Sequence, residues 1–226
     1  MISRLPKWVE SGAFVLALIA GYVNAVGLLG FEHQSVSHVS GTATQVGVGL
    51  LNASMQQTLN LISVLVAFLG GAAVSGYLLH DSTLKLGRHY DTALYCEAGL
   101  LIIGAWLLLS HSFYGHLFAS AACGLQNALA TKYSGAVIRT THLTGIFTDL
   151  GIMLGSAIRG EAFDKRKARL FLCIIVGFIV GGTCGAWYFR MWLFYALFVP
   201  AGVCIVLALV YRHYVNKQAS GIKNTA

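Results

Sequence analysis

His38 and His142 stand at matching places in the chain, each inside a run of hydroxyl and glycine residues. The runs are Ser37-His38-Val39-Ser40-Gly41-Thr42-Ala43-Thr44-Gln45 and Thr141-His142-Leu143-Thr144-Gly145-Ile146-Phe147-Thr148-Asp149. Ser or Thr before a glycine is the composition of a helix start, where a hydroxyl caps the first turn and glycine lets a partner come close. Such a start leaves backbone N–H groups unpaired and carries roughly half a positive charge, so two starts converging would form a site for a small anion. The expected contacts are His38, Ser40, Gly41, Thr42, Thr44 and Gln45 from the first run, and His142, Thr144, Gly145 and Thr148 from the second. Asn24, Gln126 and Asn127 on flanking segments add amides that serve either the solute or interhelical hydrogen bonds. The plainer alternative is that the hydroxyls bond back to their own helices.

Two acids fall among these apolar segments. Asp149 follows the second helix start by about one turn, where the first run has Gln45, and is the first choice for a coupling proton. Glu97 is the only carboxylate within its own apolar run. It is read as lying near a span end, where Lys85, Arg88 or a lipid headgroup would pair with it. Ionisable residues inside a membrane are costly, and both are therefore functional candidates.

Other chemistries find little in the sequence. Ser40 with a histidine suggests a membrane hydrolase, but no Gly-x-Ser-x-Gly elbow, HExxH pair or P-loop accompanies it, so no enzyme is expected. Haem ligation by the histidine pair gains no support from a second pair, and no cofactor is expected. The five cysteines, Cys96, Cys123, Cys173, Cys184 and Cys204, lie in apolar runs without CxxC spacing and read as buried hydrophobes, not metal ligands. The net charge of +7 comes from basic residues scattered over short loops. That pattern fits membrane orientation and gives no nucleic-acid footprint.

These residues must be positioned by membrane helices. Of 226 residues, 57% are apolar and 10% charged, too few charges to cover a water-facing surface. Six runs are long enough to cross about 30 Å of hydrocarbon: 9–30, 58–79, 93–109, 113–131, 170–188 and 192–210. The first is a retained span, not a signal peptide. Segments 36–51 and 138–158 are shorter, and residues 41–51 make only about 16 Å of helix. If all eight cross from a cytoplasmic N-terminus, Lys85, Arg88, Lys132, Arg139 and Arg190 fall outside. If the two short segments are re-entrant, only Arg190 of the 15 basic residues does. The expectation is one all-α integral membrane domain over 1–226, with six transmembrane helices, two re-entrant half-helices and a short cytoplasmic tail at 216–226.

The two halves repeat. Gly21-Tyr22-Val23-Asn24-Ala25 corresponds to Gly124-Leu125-Gln126-Asn127-Ala128, and each precedes its histidine run at nearly the same distance. Small residues at Ala67, Gly71 and Ser75 match Gly177, Gly181 and Gly185, two faces that permit close helix approach or association of two copies. Repeats of about 8–110 and 112–215 would enter the membrane upside down relative to each other, as in many secondary transporters. These paired blocks resemble the YoaK-like family of small bacterial membrane proteins, over nearly the whole chain. The resemblance implies about six spans and a bacterial inner-membrane location and names no substrate; the placing of the basic residues puts both termini on the cytoplasmic side. Family members often carry Asp where this chain has Asn24, and that departure argues against a proton carrier at this position. The functional expectation is a secondary transporter of a small anionic solute, proton-coupled, with a channel as the alternative. Lipid and the solute are its expected partners.

Overall fold

A computed structural model describes residues 8–30, 33, 35–79, 89–134 and 138–223. Arg4, Lys7, Lys85 and Arg88 lie outside them. The described chain is helical: α1 (Trp8–Leu29), α2 (Val39–Asn52), α3 (Met55–Leu78), α4 (Tyr90–Leu109), α5 (Tyr114–Tyr133), α6 (Leu143–Ile158), α7 (Lys165–Trp192) and α8 (Phe198–Lys223). A 3-10 turn, Leu193–Leu197, joins the last two. Pro200 falls in the first turn of α8, where a missing N–H costs nothing. α8 continues as far as Lys223, into the stretch expected as the cytoplasmic tail at 216–226, and no proline interrupts its last turns.

Four stretches are long and apolar enough to cross a membrane: 10–29, 55–78, 90–109 and 165–217, the last containing α7 and α8. Their surfaces remain apolar. Val66, Leu69, Leu172, Ile179, Val206 and Leu209 all point outward. A helix with apolar residues on its uncovered faces needs an apolar surrounding, which a bilayer supplies.

Glycine sets the tightest packing. A Cβ on Gly21 would overlap the carbonyl of Phe178, and one on Gly181 would overlap that of Leu18. On the other side of the molecule, Gly124 meets the Phe68 carbonyl and Gly71 that of Ala121 in the same way. Along α7, Gly177 lies against Phe14 and Gly185 against Tyr22, so α1 and α7 run parallel. The Glu10–Arg166 ion pair, 3.3 Å, joins their starts. Ser120 donates to the Val64 carbonyl at 2.9 Å, one turn before the Phe68–Gly124 crossing, so α3 and α5 are parallel too. The small faces at Gly71 and Ser75 and at Gly177, Gly181 and Gly185 are thus covered within the chain.

α4 and α8 run antiparallel, with Tyr90 near Tyr211 (5.8 Å between rings) and Trp106 near Phe198 (5.9 Å). One cavity gathers the starts of α1 and α4 with the ends of α5 and α8. Helices α1, α4 and α7 therefore point one way, and α3, α5 and α8 the other.

Candidate functional site

Both half-helix starts are held by an asparagine on the preceding long helix. Asn24 Oδ1 accepts from Ser35 Oγ (2.9 Å), Ser37 Oγ (2.8 Å) and Ser37 N (3.1 Å). Asn127 Oδ1 accepts from Thr141 N at 3.4 Å. Each chain thus turns back to the depth of its asparagine before its short helix begins. Of the three amides expected to touch a solute or a neighbouring helix, Asn24 and Asn127 pin these returning segments.

The caps are not the hydroxyls that the sequence suggests. His38 and His142 are the N-cap residues, with near-identical backbone angles (φ −91°, ψ 69° and φ −94°, ψ 54°) and no side-chain cap bond. Each imidazole folds over the first-turn glycine, and a Cβ on Gly41 or Gly145 would meet the ring at 2.5 Å. Thr44 Oγ1 donates to the Ser40 carbonyl (3.0 Å) and Thr148 Oγ1 to that of Thr144 (2.9 Å). Thr42 Oγ1 bonds the His38 carbonyl at 3.2 Å. These hydroxyls complete their own helices. Ser40, Gln45 and Thr144 are exposed.

The two short helices do not touch each other. α2 packs on α3 and α6 lightly on α7, with no contact between α2 and α6. His38, Ser40 and Gly41 thus stand on one short helix start and His142, Thr144 and Gly145 on another that it does not touch. Packing against a single neighbour holds each short helix at the edge of the bundle.

The two acids exchange settings relative to expectation. Asp149 is half-exposed and pairs with Lys167 at 3.4 Å. Glu97 is two turns inside α4, because that helix begins at Tyr90 rather than 93, and it is 2% exposed. Its Oε1 accepts from Gln126 Nε2 at 2.8 Å. The Cys123 thiol of α5 and the Cys204 thiol of α8 lie beside it. Glu97 Oε2 and Gln126 Oε1 are both buried without a hydrogen-bond partner. No ion pair reaches Glu97 among the described residues. Gln126, expected either near the solute or in an interhelical hydrogen bond, is thus the partner of the buried acid.

A cavity of about 560 Å³ lies below this pair. Leu94, Leu129 and Leu207 line it, and Glu97, Gln126 and Cys204 are each one helical turn deeper on the same faces. Tyr90, Tyr133, Tyr211 and Tyr214 also line it, and Tyr90 stacks edge-on to Tyr133 at 5.5 Å. The opposite end of the bundle is filled. Phe194 packs on Gly30 and Phe189. Sequence reading missed these tyrosines, whose spacing across three helices carries no local pattern.

Apolar helices with outward apolar faces around one buried acid–amide pair define an all-helical, multi-pass membrane protein. The chain belongs to the family described as protein of unknown function DUF1275, which it matches over residues 12–210. It is 26% identical over 170 residues to the UPF0700 transmembrane protein YoaK of Bacillus subtilis (strain 168), covering 70% of this chain and 71% of that one. The YoaK-like resemblance is thereby established. No solved structure matches the chain significantly.

Proposed function

We propose that the chain is a proton-linked secondary transporter of a small solute in the bacterial inner membrane. It is read as six spans and two re-entrant half-helices in two inverted repeats, with both termini cytoplasmic. The observation that carries the reading is Glu97, a carboxyl buried between three helices beside an amide and without a cation. An unpaired buried charge is expensive, so such a group is retained where its proton is used.

The helix pairs support the inverted repeat. Exchanging α1 with α5 and α3 with α7 maps the Gly21–Phe178 crossing onto Gly124–Phe68, and Gly181–Leu18 onto Gly71–Ala121. The same exchange leaves the α4–α8 pair on itself, with Glu97 and Cys204 at the axis. A carrier built this way alternates which end is open. One end holds the cavity and the other is packed by Phe194, which favours a carrier over a continuous pore.

Inverted bacterial membrane vesicles with a respiration-driven proton gradient, followed by a pH-sensitive dye, test this. Adding solutes from a chemically diverse panel should dissipate part of the gradient with the parent protein and with Asp149→Asn, but not with Glu97→Gln. A Glu97→Gln protein that dissipates the gradient as the parent does would remove the proposal.

A further inference from the structure

We infer that the tyrosine-rimmed cavity and the Glu97–Gln126 pair above it form one binding site for an amphiphilic organic amine, which displaces the Glu97 proton. This rests on the carrier reading and names its substrate class, opposite in sign to the anion expected at the half-helix starts.

The unsatisfied atoms specify the missing group. Glu97 Oε2 and Gln126 Oε1 are acceptors, more than nine-tenths buried, on facing helices joined by a 2.8 Å bond between their other atoms. Both need a donor. A proton on Oε2 supplies one to the empty site. An ammonium, with up to three N–H groups and a positive charge, supplies donors to both acceptors and balances the carboxylate. The two occupants exclude each other. With proton and charge balanced, a protonated amine meets the neutral carboxyl, its N–H groups bind the resulting carboxylate, and one proton leaves to water.

The groups facing Glu97 agree with this sign. Gln126 and Cys123 face it from α5 and Cys204 from α8, and among the described residues no Lys or Arg lines the cavity. Among those residues an anion has no cation to pair with. The cavity walls below the acceptors are aliphatic, fitting an apolar ligand body, and tyrosine rings at Tyr90, Tyr133, Tyr211 and Tyr214 attract a passing cation through their faces. Leu94, Leu129 and Leu207 separate the cavity from the pair by about 4.5 Å of helix rise, a floor that leucine rotamers can open.

The probe is 2-naphthylethylamine, with 2-naphthaleneethanol and 2-naphthylacetate as neutral and anionic controls, on the purified full-length protein in weakly buffered detergent. The amine should bind best and release about one proton per molecule bound. Its affinity should fall as pH is lowered, since protons compete. Glu97→Gln should abolish the proton release and weaken binding at least tenfold. A second readout does not depend on that variant. With Cys96, Cys173 and Cys184 changed to Ser, the amine should slow N-ethylmaleimide modification of Cys123 and Cys204 several-fold, and Leu94→Ala should speed it. Preference for the acetate, amine binding without proton release, or thiols indifferent to the amine would each overturn the inference. If the amine fails while another solute moves protons in a Glu97-dependent way in vesicles, the carrier reading stands without this substrate. Amine binding with proton release but no vesicle transport would spare the site and remove the carrier.

Discussion

At residue scale the informative side chains are amides. Asn24 Oδ1 takes three hydrogen bonds from the returning segment, whereas Asn127 takes one long one. Leaving Ser35 and Ser37 without their acceptor costs roughly 1–3 kcal/mol. Asn24→Ala should therefore lower unfolding stability in detergent by about that amount, and Asn127→Ala by less, in reversible denaturant titrations. Equal losses would mean that the two amides do the same work. Asp149→Asn, removing a half-exposed pair with Lys167, should shift stability by less than about 1 kcal/mol in the same assay. The motif containing Asn24 was legible as a motif, but its role was not, since the serines it binds are 11 and 13 residues away and fold back only through the loop. Glu97 and Gln126 left a fainter signal. Each stands 12 residues from the short turn joining α4 and α5, so an antiparallel hairpin sets them at one depth. Reading Glu97 as a span-end residue hid that register, because the helix start was placed three residues late.

At the scale of elements, the glycines decide which faces meet. Gly70 and Gly71 are neighbours with opposite surroundings: a Cβ on Gly70 meets nothing within 4 Å, and one on Gly71 overlaps the Ala121 backbone. Backbone cannot yield as a flexible side chain does, and overpacking of this kind costs about 1–3 kcal/mol or more. Gly71→Ala and Gly181→Ala should each destabilise the protein by that much, while Gly70→Ala should be neutral or slightly stabilising through helix propensity. Thermal unfolding of the three variants in one detergent checks this, and a damaging Gly70→Ala would refute the crossing. The small-residue spacing in the sequence announced a close approach correctly. It could not say whether the partner was a second copy or α1 and α5 of the same chain, because identical surfaces serve both. The starts of the short helices α2 and α6 were legible for the same local reason: hydroxyls, glycine and histidine crowd them. Their position at the bundle edge was not, since nothing in a short helix's own sequence states which neighbour it packs against.

At the scale of the whole molecule, helix direction is the discriminating quantity. α1 and α3 point oppositely, and α2 lies between them in the chain, forming a hairpin with α3. A fully crossing α2 would return the chain to the side where α1 began, and α3 would then run parallel to α1. The turn before α3 is therefore expected on the outer side, and the loop of Glu161 before α7 on the cytoplasmic side. With eight crossings both would be cytoplasmic. Gln56 and Glu161 are exposed and suit single-cysteine probes in a background with the five native cysteines changed to Ala. In intact cells an impermeant maleimide should label Gln56→Cys and leave Glu161→Cys unlabelled until the membrane is permeabilised. The basic residues of the second loop and of the start of α7, Arg159, Lys165, Arg166, Lys167 and Arg169, oppose translocation and reinforce the second half of that expectation. If both probes stay silent in intact cells and react together after permeabilisation, α2 crosses the membrane. The inverted repeat then fails with it, since an even number of crossings per half would give both halves the same orientation. Labelling at 56 alone fixes three crossings in the first half, the odd number that an inverted second half requires.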